Sequence, residues 1–164
     1  MNSAALKLVD EALLNFPVIT LGAGQVLYHG ARSRQAISNM RPNAMFTSSL
    51  YYAADYAFIR DQHKTSEDEP DLYRALFCCT LQKDIDIIKI TGVDWPALCM
   101  EISKADNSMP KYDGWLQQHL TSYIAMRYGS NTEGAKLLSS SNGSLDEYIF
   151  RNASSIFSTH RRID

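Results

Sequence analysis

The chain has 164 residues, a length that fits one domain with a hydrophobic core of its own. Its 45% hydrophobic and 21% charged content is that of an ordinary globule, and a net charge of −2 with a pI near 6.1 provides no global field to draw in nucleic acid or an anionic membrane. No window reaches the roughly 18 apolar residues of a membrane span, so no membrane partner is expected.

"MNSAALKLVDEALLNF" carries acids and lacks both a basic n-region and an unbroken apolar run, so no signal peptide is expected there. Leu6, Val9, Leu13 and Phe16 recur at helical spacing and Pro17 ends the run, which predicts an amphipathic helix over 1–17. "GQVLYH" reads as a short strand, "ARSRQAISNM" as a helix of one or two turns, and Arg41-Pro42-Asn43 as a turn. "AMFTSS" is extended, and Ser48 or Ser49 caps the helix "LYYAADYAFIR" by accepting its unpaired amide N–H groups. The acidic "DQHKTSEDEPD" is a surface loop.

"LYRALFCCTLQ" and "DIDIIKIT" are strands. Asp94 opens a helix through Leu98 and Met100, and "GWLQQHLTSYIAMRYG" is another that stops at Gly129. The connector "SSSNGS" leads into "LDEYIF", and "ASSIFSTHRRI" reads as a final strand. Helices lead, strands cluster later, and short links join neighbouring strands. This predicts an α+β fold in a single domain over 1–164, without repeats or an internal boundary.

Cys78, Cys79 and Cys99 are an odd set without CxxC spacing, which suits reduced core thiols in the cytoplasm of the producing cell or, for a secreted effector, of its host. No metal site is expected, because His63 and His119 lack a second histidine at ligand spacing. "EDE" is a solvated loop. "RNASSIFSTHRR" adds positive charge without an aromatic stacking pattern, and "GAG" at 22–24 precedes a strand where a dinucleotide fingerprint follows one.

Three further segments form an ordered set: "YHG" at 28–30, "FTSSLYYAADYAF" at 46–58, and "SLDEYIF" at 144–150. This trio resembles the ADP-ribosyltransferases of the His-Tyr-Glu class, the diphtheria-toxin-like and poly(ADP-ribose)-polymerase-like enzymes. Their first strand ends in Y-H-G or W-H-G. Their second motif pairs an aromatic and small hydroxyl residues with a later tyrosine, and their third is a glutamate in the setting E-Y-I. His29 and Gly30 match the first, Tyr56 after Ala53 and Ala54 the later tyrosine, and Glu147-Tyr148-Ile149 the third. The match rests on about thirty residues.

The resemblance implies two small, packed, antiparallel-rich sheets that form an NAD cleft flanked by helices. It implies NAD as co-substrate without a metal, and cleavage of the nicotinamide–ribose bond through an oxocarbenium-like transition state. Glu147 would then be the catalytic carboxylate, because a cation forming on the ribose needs a preorganised anion beside it. His29 would meet the adenosine ribose, and Gly30 would offer its backbone N–H and C=O to the carboxamide of nicotinamide. Tyr56 would stack on the nicotinamide ring, although core packing of its helix accounts equally for a tyrosine there. Phe46 and Thr47 would wall the same ring. Ser48 would contact the carboxamide or hold the sheet-to-helix junction, and Arg32 would reach the pyrophosphate.

One position departs from the class, which carries tyrosine where this chain has Phe46; the interval from there to Tyr56 is also about one residue short. Arginine-modifying relatives carry a second glutamate two positions before the catalytic one. Leu145 stands there, which disfavours an arginine acceptor, and Asp146 should face the other side of its strand. The expected activity is mono-ADP-ribosyl transfer to a macromolecular acceptor, protein or nucleic acid, by a microbial or phage toxin, effector or defence protein with an antitoxin or inhibitor as a further partner. An NAD glycohydrolase, or a non-catalytic NAD-binding module of the same fold, are the alternatives, and Phe46 favours the last.

Overall fold

The computed structural model of the chain describes residues 1–33, 37, 44–59, 73–109, 119–138 and 146–163. The turn expected at Arg41-Pro42-Asn43, the acidic loop with His63, the first part of the helix expected before Gly129, and the serine-rich connector with Leu145 lie outside these residues.

The fold is α+β with two sheets. β1 (Val18–Leu21), β5 (Ile85–Ile90), β6 (Thr132–Leu138), β7 (Asp146–Phe150) and β3 (Met45–Phe46) form a five-stranded sheet in that order. β2 (Val26–Ser33), β4 (Tyr73–Leu81) and β8 (Phe157–Arg162) form a three-stranded one. Only the β5–β6 pair is parallel among the described pairs. The described helices are α1 (Ser3–Leu13), α2 (Leu50–Ala54), α3 (Trp95–Ala105), α4 (Thr121–Tyr128) and α5 (Ala153–Ile156).

The five-stranded sheet has a core on each face, and strand alternation sorts the residues between them. Ile88, Ile90, Ala135, Leu137 and Ile149 face α1, α3 and α4, meeting Val9, Leu13, Ile102 and Ile124. Ile85, Ile87, Tyr148 and Phe150 face the small sheet, meeting Leu27, Ala75, Phe77 and Cys79. β5 is therefore covered on both sides, which is why "IDIIKI" is nearly continuous in isoleucine. Burial of Cys79, aided by its neighbour Cys78, pushes its thiol up to about 12, so it is an inert packing group.

Two expectations change. Ala31, Arg32 and Ser33 continue β2 and do not begin a helix, because each finds a cross-strand partner in Ala75, Arg74 and Tyr73. "ASSI" closes into the short α5 before β8 begins. Between the sheets Leu27, Phe46, Phe77 and Phe150 pack into one apolar core.

Candidate functional site

β3 is two residues long, yet it joins the sheets. The Tyr28 N–H donates to the Thr47 carbonyl at 2.8 Å and the Thr47 N–H returns to the Tyr28 carbonyl at 2.9 Å. On its other side Met45 and Phe46 pair with Ile149 and Tyr148 of β7. The strands carrying the three motifs therefore run side by side as β2, β3 and β7. Continuing the β3–β7 register by one residue sets Thr47 beside Glu147, which puts Tyr28, Thr47 and Glu147 in one row.

This row decides what each motif residue faces. Gln25 accepts from Leu81, and Leu76 accepts from Ile163 of the β8 end, so the bonding pairs between β2 and β4 fall at Leu27, His29 and Ala31. Tyr28 and Gly30 point their N–H and C=O the other way, toward β3. Tyr28 spends its groups on Thr47. Those of Gly30, one step further along, have no hydrogen-bond partner among the described residues, although Gly30 is buried. Buried backbone groups are nearly always paired, so an in-plane donor and acceptor on one residue is a feature to be explained.

The helix after β3 covers this spot. Ser49 caps it, its Oγ accepting from the Tyr52 N–H at 3.2 Å. α2 passes so close to β2 that a Cβ on Gly30 would stand 2.1 Å from the Ala53 carbonyl oxygen and 3.3 Å from the Ala57 Cβ. Beyond Ala54 the helix widens into a π-helical turn over Asp55–Ile59, and Arg74 donates to the Ala57 carbonyl at 2.7 Å. Tyr52 and Tyr56, four residues apart, lie on one side of this helix. The Tyr52 hydroxyl donates to Oε1 of Glu147 at 2.9 Å. Tyr56 is 41% exposed with the Arg32 guanidinium 4.7 Å over its ring, a cation–π contact.

Glu147 is half-buried, and Tyr52 is its partner among the described residues; no cation there pairs with it. Asp146, on the opposite face as alternation requires, is neutralised by Lys136 at 2.7 Å. Burial works against the charge on Lys136, but hydrogen bonds with Asp146 and Tyr148 outweigh it and raise its pKa. Among the described residues the Glu147 carboxylate thus has no cation paired with it, beneath α2 and on the same face as Gly30.

The remaining motif residues sit elsewhere. The His29 ring leaves β2 on the core side, 5.5 Å from the Phe46 ring and 6.0 Å from that of Phe77, on the face opposite Glu147. Its Nδ1 is 2.8 Å from the Met45 carbonyl, which can only accept, so Nδ1 carries a proton and donates it there. Phe46 is 1% exposed, its ring packed on Phe150 and Phe157, so it is core and walls no ligand. Burial explains why this position is not tyrosine: a hydroxyl there would need a partner among apolar rings. Thr47 is buried and accepts from the Ser49 N–H at 3.1 Å, which fixes the strand-to-helix turn. The Ser48 hydroxyl points to Asp146 at 3.4 Å, on the side of the junction.

Tyr52 is the residue sequence reasoning missed. Its signal was present, since it stands one helical turn before Tyr56 on the same face, but only the strand register aims it at Glu147. Among the described residues no group of three or more histidines, cysteines or carboxylates could hold a metal ion, and no helix is long and apolar enough to cross a membrane. A scan against protein-family models matches none, and no curated protein matches the chain in sequence.

Proposed function

We propose that the chain is an NAD-dependent mono-ADP-ribosyltransferase whose site is the corner beneath α2. One observation carries this reading. The buried Gly30 directs its N–H and C=O in the plane of the sheet toward β3, and its Cα lies under α2 on the same face as the half-buried Glu147 carboxylate. A primary carboxamide presents an N–H donor on one side and a carbonyl acceptor on the other, the complement of that pair. In nicotinamide it is joined through the ring to the sugar carbon where positive charge develops.

In this reading Gly30 orients the carboxamide and Tyr56, held by Arg32, offers an exposed ring for stacking. Glu147 supports the ribose hydroxyl and opposes the nascent cation. The carbon–nitrogen bond breaks with its electron pair leaving on nicotinamide, and the acceptor's nucleophile forms the new bond to the sugar carbon and gives up its proton. His29 lies on the opposite face, so a dinucleotide that meets both His29 and Glu147 has to fold over the β2 edge at Gly30.

The test is nicotinamide release from NAD by wild type and Glu147→Gln, with mass spectrometry of lysate proteins and nucleic acids for an added ADP-ribosyl mass. Wild type should release nicotinamide and leave the mass on an acceptor, and Glu147→Gln should bind NAD while losing most turnover. Release without a modified acceptor would make the protein a glycohydrolase. Equal turnover by the two proteins would remove Glu147 from the chemistry.

A further inference from the structure

We infer that Tyr52 is a positioning residue for the Glu147 carboxylate: its hydroxyl holds Oε1 and so presents the second oxygen, Oε2, to the substrate sugar. The inference rests on the reading of Glu147 as the catalytic carboxylate, and names the part of this chain that sets its geometry.

A glutamate at the end of a strand has three rotatable bonds and, with water beside it, samples several of their rotamers. Electrostatic assistance depends on an anion already in place when charge develops, so a carboxylate that must be recruited loses much of its effect. Here one oxygen is fixed by a 2.9 Å hydrogen bond from a phenol on a different element. A phenol suits this role, because it donates one proton and brings no charge that would cancel the carboxylate.

The lever behind that hydroxyl is rigid. The Tyr52 N–H is bonded to the Ser49 Oγ, and the Ser49 N–H to the Thr47 Oγ1, so the residue is tied to the turn that leaves β3. The next residue, Ala53, lies with its carbonyl against Gly30, where no side chain keeps helix and strand apart. Strand β3 fixes β7 through Phe46 and Tyr148. Donor and acceptor are therefore carried by elements that share one short strand, and their separation is set by the corner itself.

The test is steady-state nicotinamide release by wild type, Tyr52→Phe, Glu147→Gln and the double variant, with thermal midpoints measured alongside. Tyr52→Phe should lower kcat by about 10- to 100-fold, the scale of a misplaced catalytic group. KM for NAD should stay unchanged, since no contact with substrate is removed. In the Glu147→Gln background the same change should have no further effect on kcat, because Tyr52 acts only through that carboxylate. Incorporating 4-aminophenylalanine at position 52 restores a neutral donor and should recover much of the rate, which a purely packing role would not produce.

Tyr52→Phe with wild-type kcat overturns the inference and leaves the proposed function standing. So does an equal loss in both backgrounds, or a kcat loss that 4-aminophenylalanine fails to repair. Wild type that releases no nicotinamide overturns the proposed function, and this role with it.

Discussion

Gly30 combines two requirements at one position. Its missing Cβ lets α2 lie on β2, and its backbone N–H and C=O point toward β3 without a partner among the described residues. Gly134 meets only the first kind of demand, since a Cβ there would stand 2.0 Å from the Ile149 carbonyl oxygen. Alanine at either position forces backbone apart and should cost about 1–3 kcal/mol in urea unfolding, as overpacking does. Only Gly30→Ala displaces the helix that carries Tyr52 and Tyr56, so it alone should also weaken NAD binding measured by calorimetry. Equal binding by the two variants would detach Gly30 from the site. Phe46→Tyr makes a complementary prediction. The added hydroxyl enters the rings of Phe150 and Phe157 and should destabilise the fold by about 1–3 kcal/mol. A neutral result would mean that the position has room for the tyrosine of the resembling class. His29, Gly30 and Glu147 were legible in the sequence as residue types in order. The face each side chain takes was not, because it depends on a register between strands more than a hundred residues apart.

At the level of elements, α2 and β3 are short and depend on their junction. A two-residue strand and a five-residue helix have little intrinsic stability, since helix nucleation is costly. The Ser49 cap and the Thr47 Oγ1 contact supply local bonds that the elements lack. Ser49→Ala removes the cap and should lower stability by about 1 kcal/mol. Because the Tyr52 N–H is the capped group, the same change should speed amide exchange across α2 before it affects β5 or β6. Uniform exchange across the chain would show that the junction has no separate stability. The cap was readable beforehand, with Ser48 and Ser49 before an apolar helix. β6 was not. "TEGAKLL" contains glycine, alanine and lysine, all poor strand formers, and becomes a strand because β5 and β7 flank it and Gly134 admits the Ile149 carbonyl. Ala31–Ser33 erred in the other direction: the polar run "ARSRQ" suits a helix locally, but β4 offers it a paired edge.

Across the whole molecule, an α+β class followed from the clustering of strands and two packed sheets from the resemblance, whereas the joining of the sheets at β3 did not. The two sheets place one core under the helices and another between themselves, and the helical core is closed by polar ties at the surface. Tyr123 and Arg127 of α4 both bond Asp10 of α1, the guanidinium at 2.7 Å. At the other end of α1, Asp106 after α3 receives the hydroxyl and amide of Ser108 and the amide of Asn2, with the amino terminus at 3.9 Å. The Ser108 hydroxyl, then the Asn2 amide, hold the Asp106 carboxyl below the usual carboxylate range. A depressed native pKa means that the unfolded chain takes up the proton first. The stabilisation is therefore present above about pH 4, the unfolded value, and is lost as pH falls through the lower native one. Asp106→Asn should have a lower thermal midpoint than wild type at pH 7, and the gap should narrow as the solution is taken below pH 4. A gap that stays constant to pH 3 would assign the loss to shape and not to charge, and the carboxylate would not be what ties α3 to the start of α1.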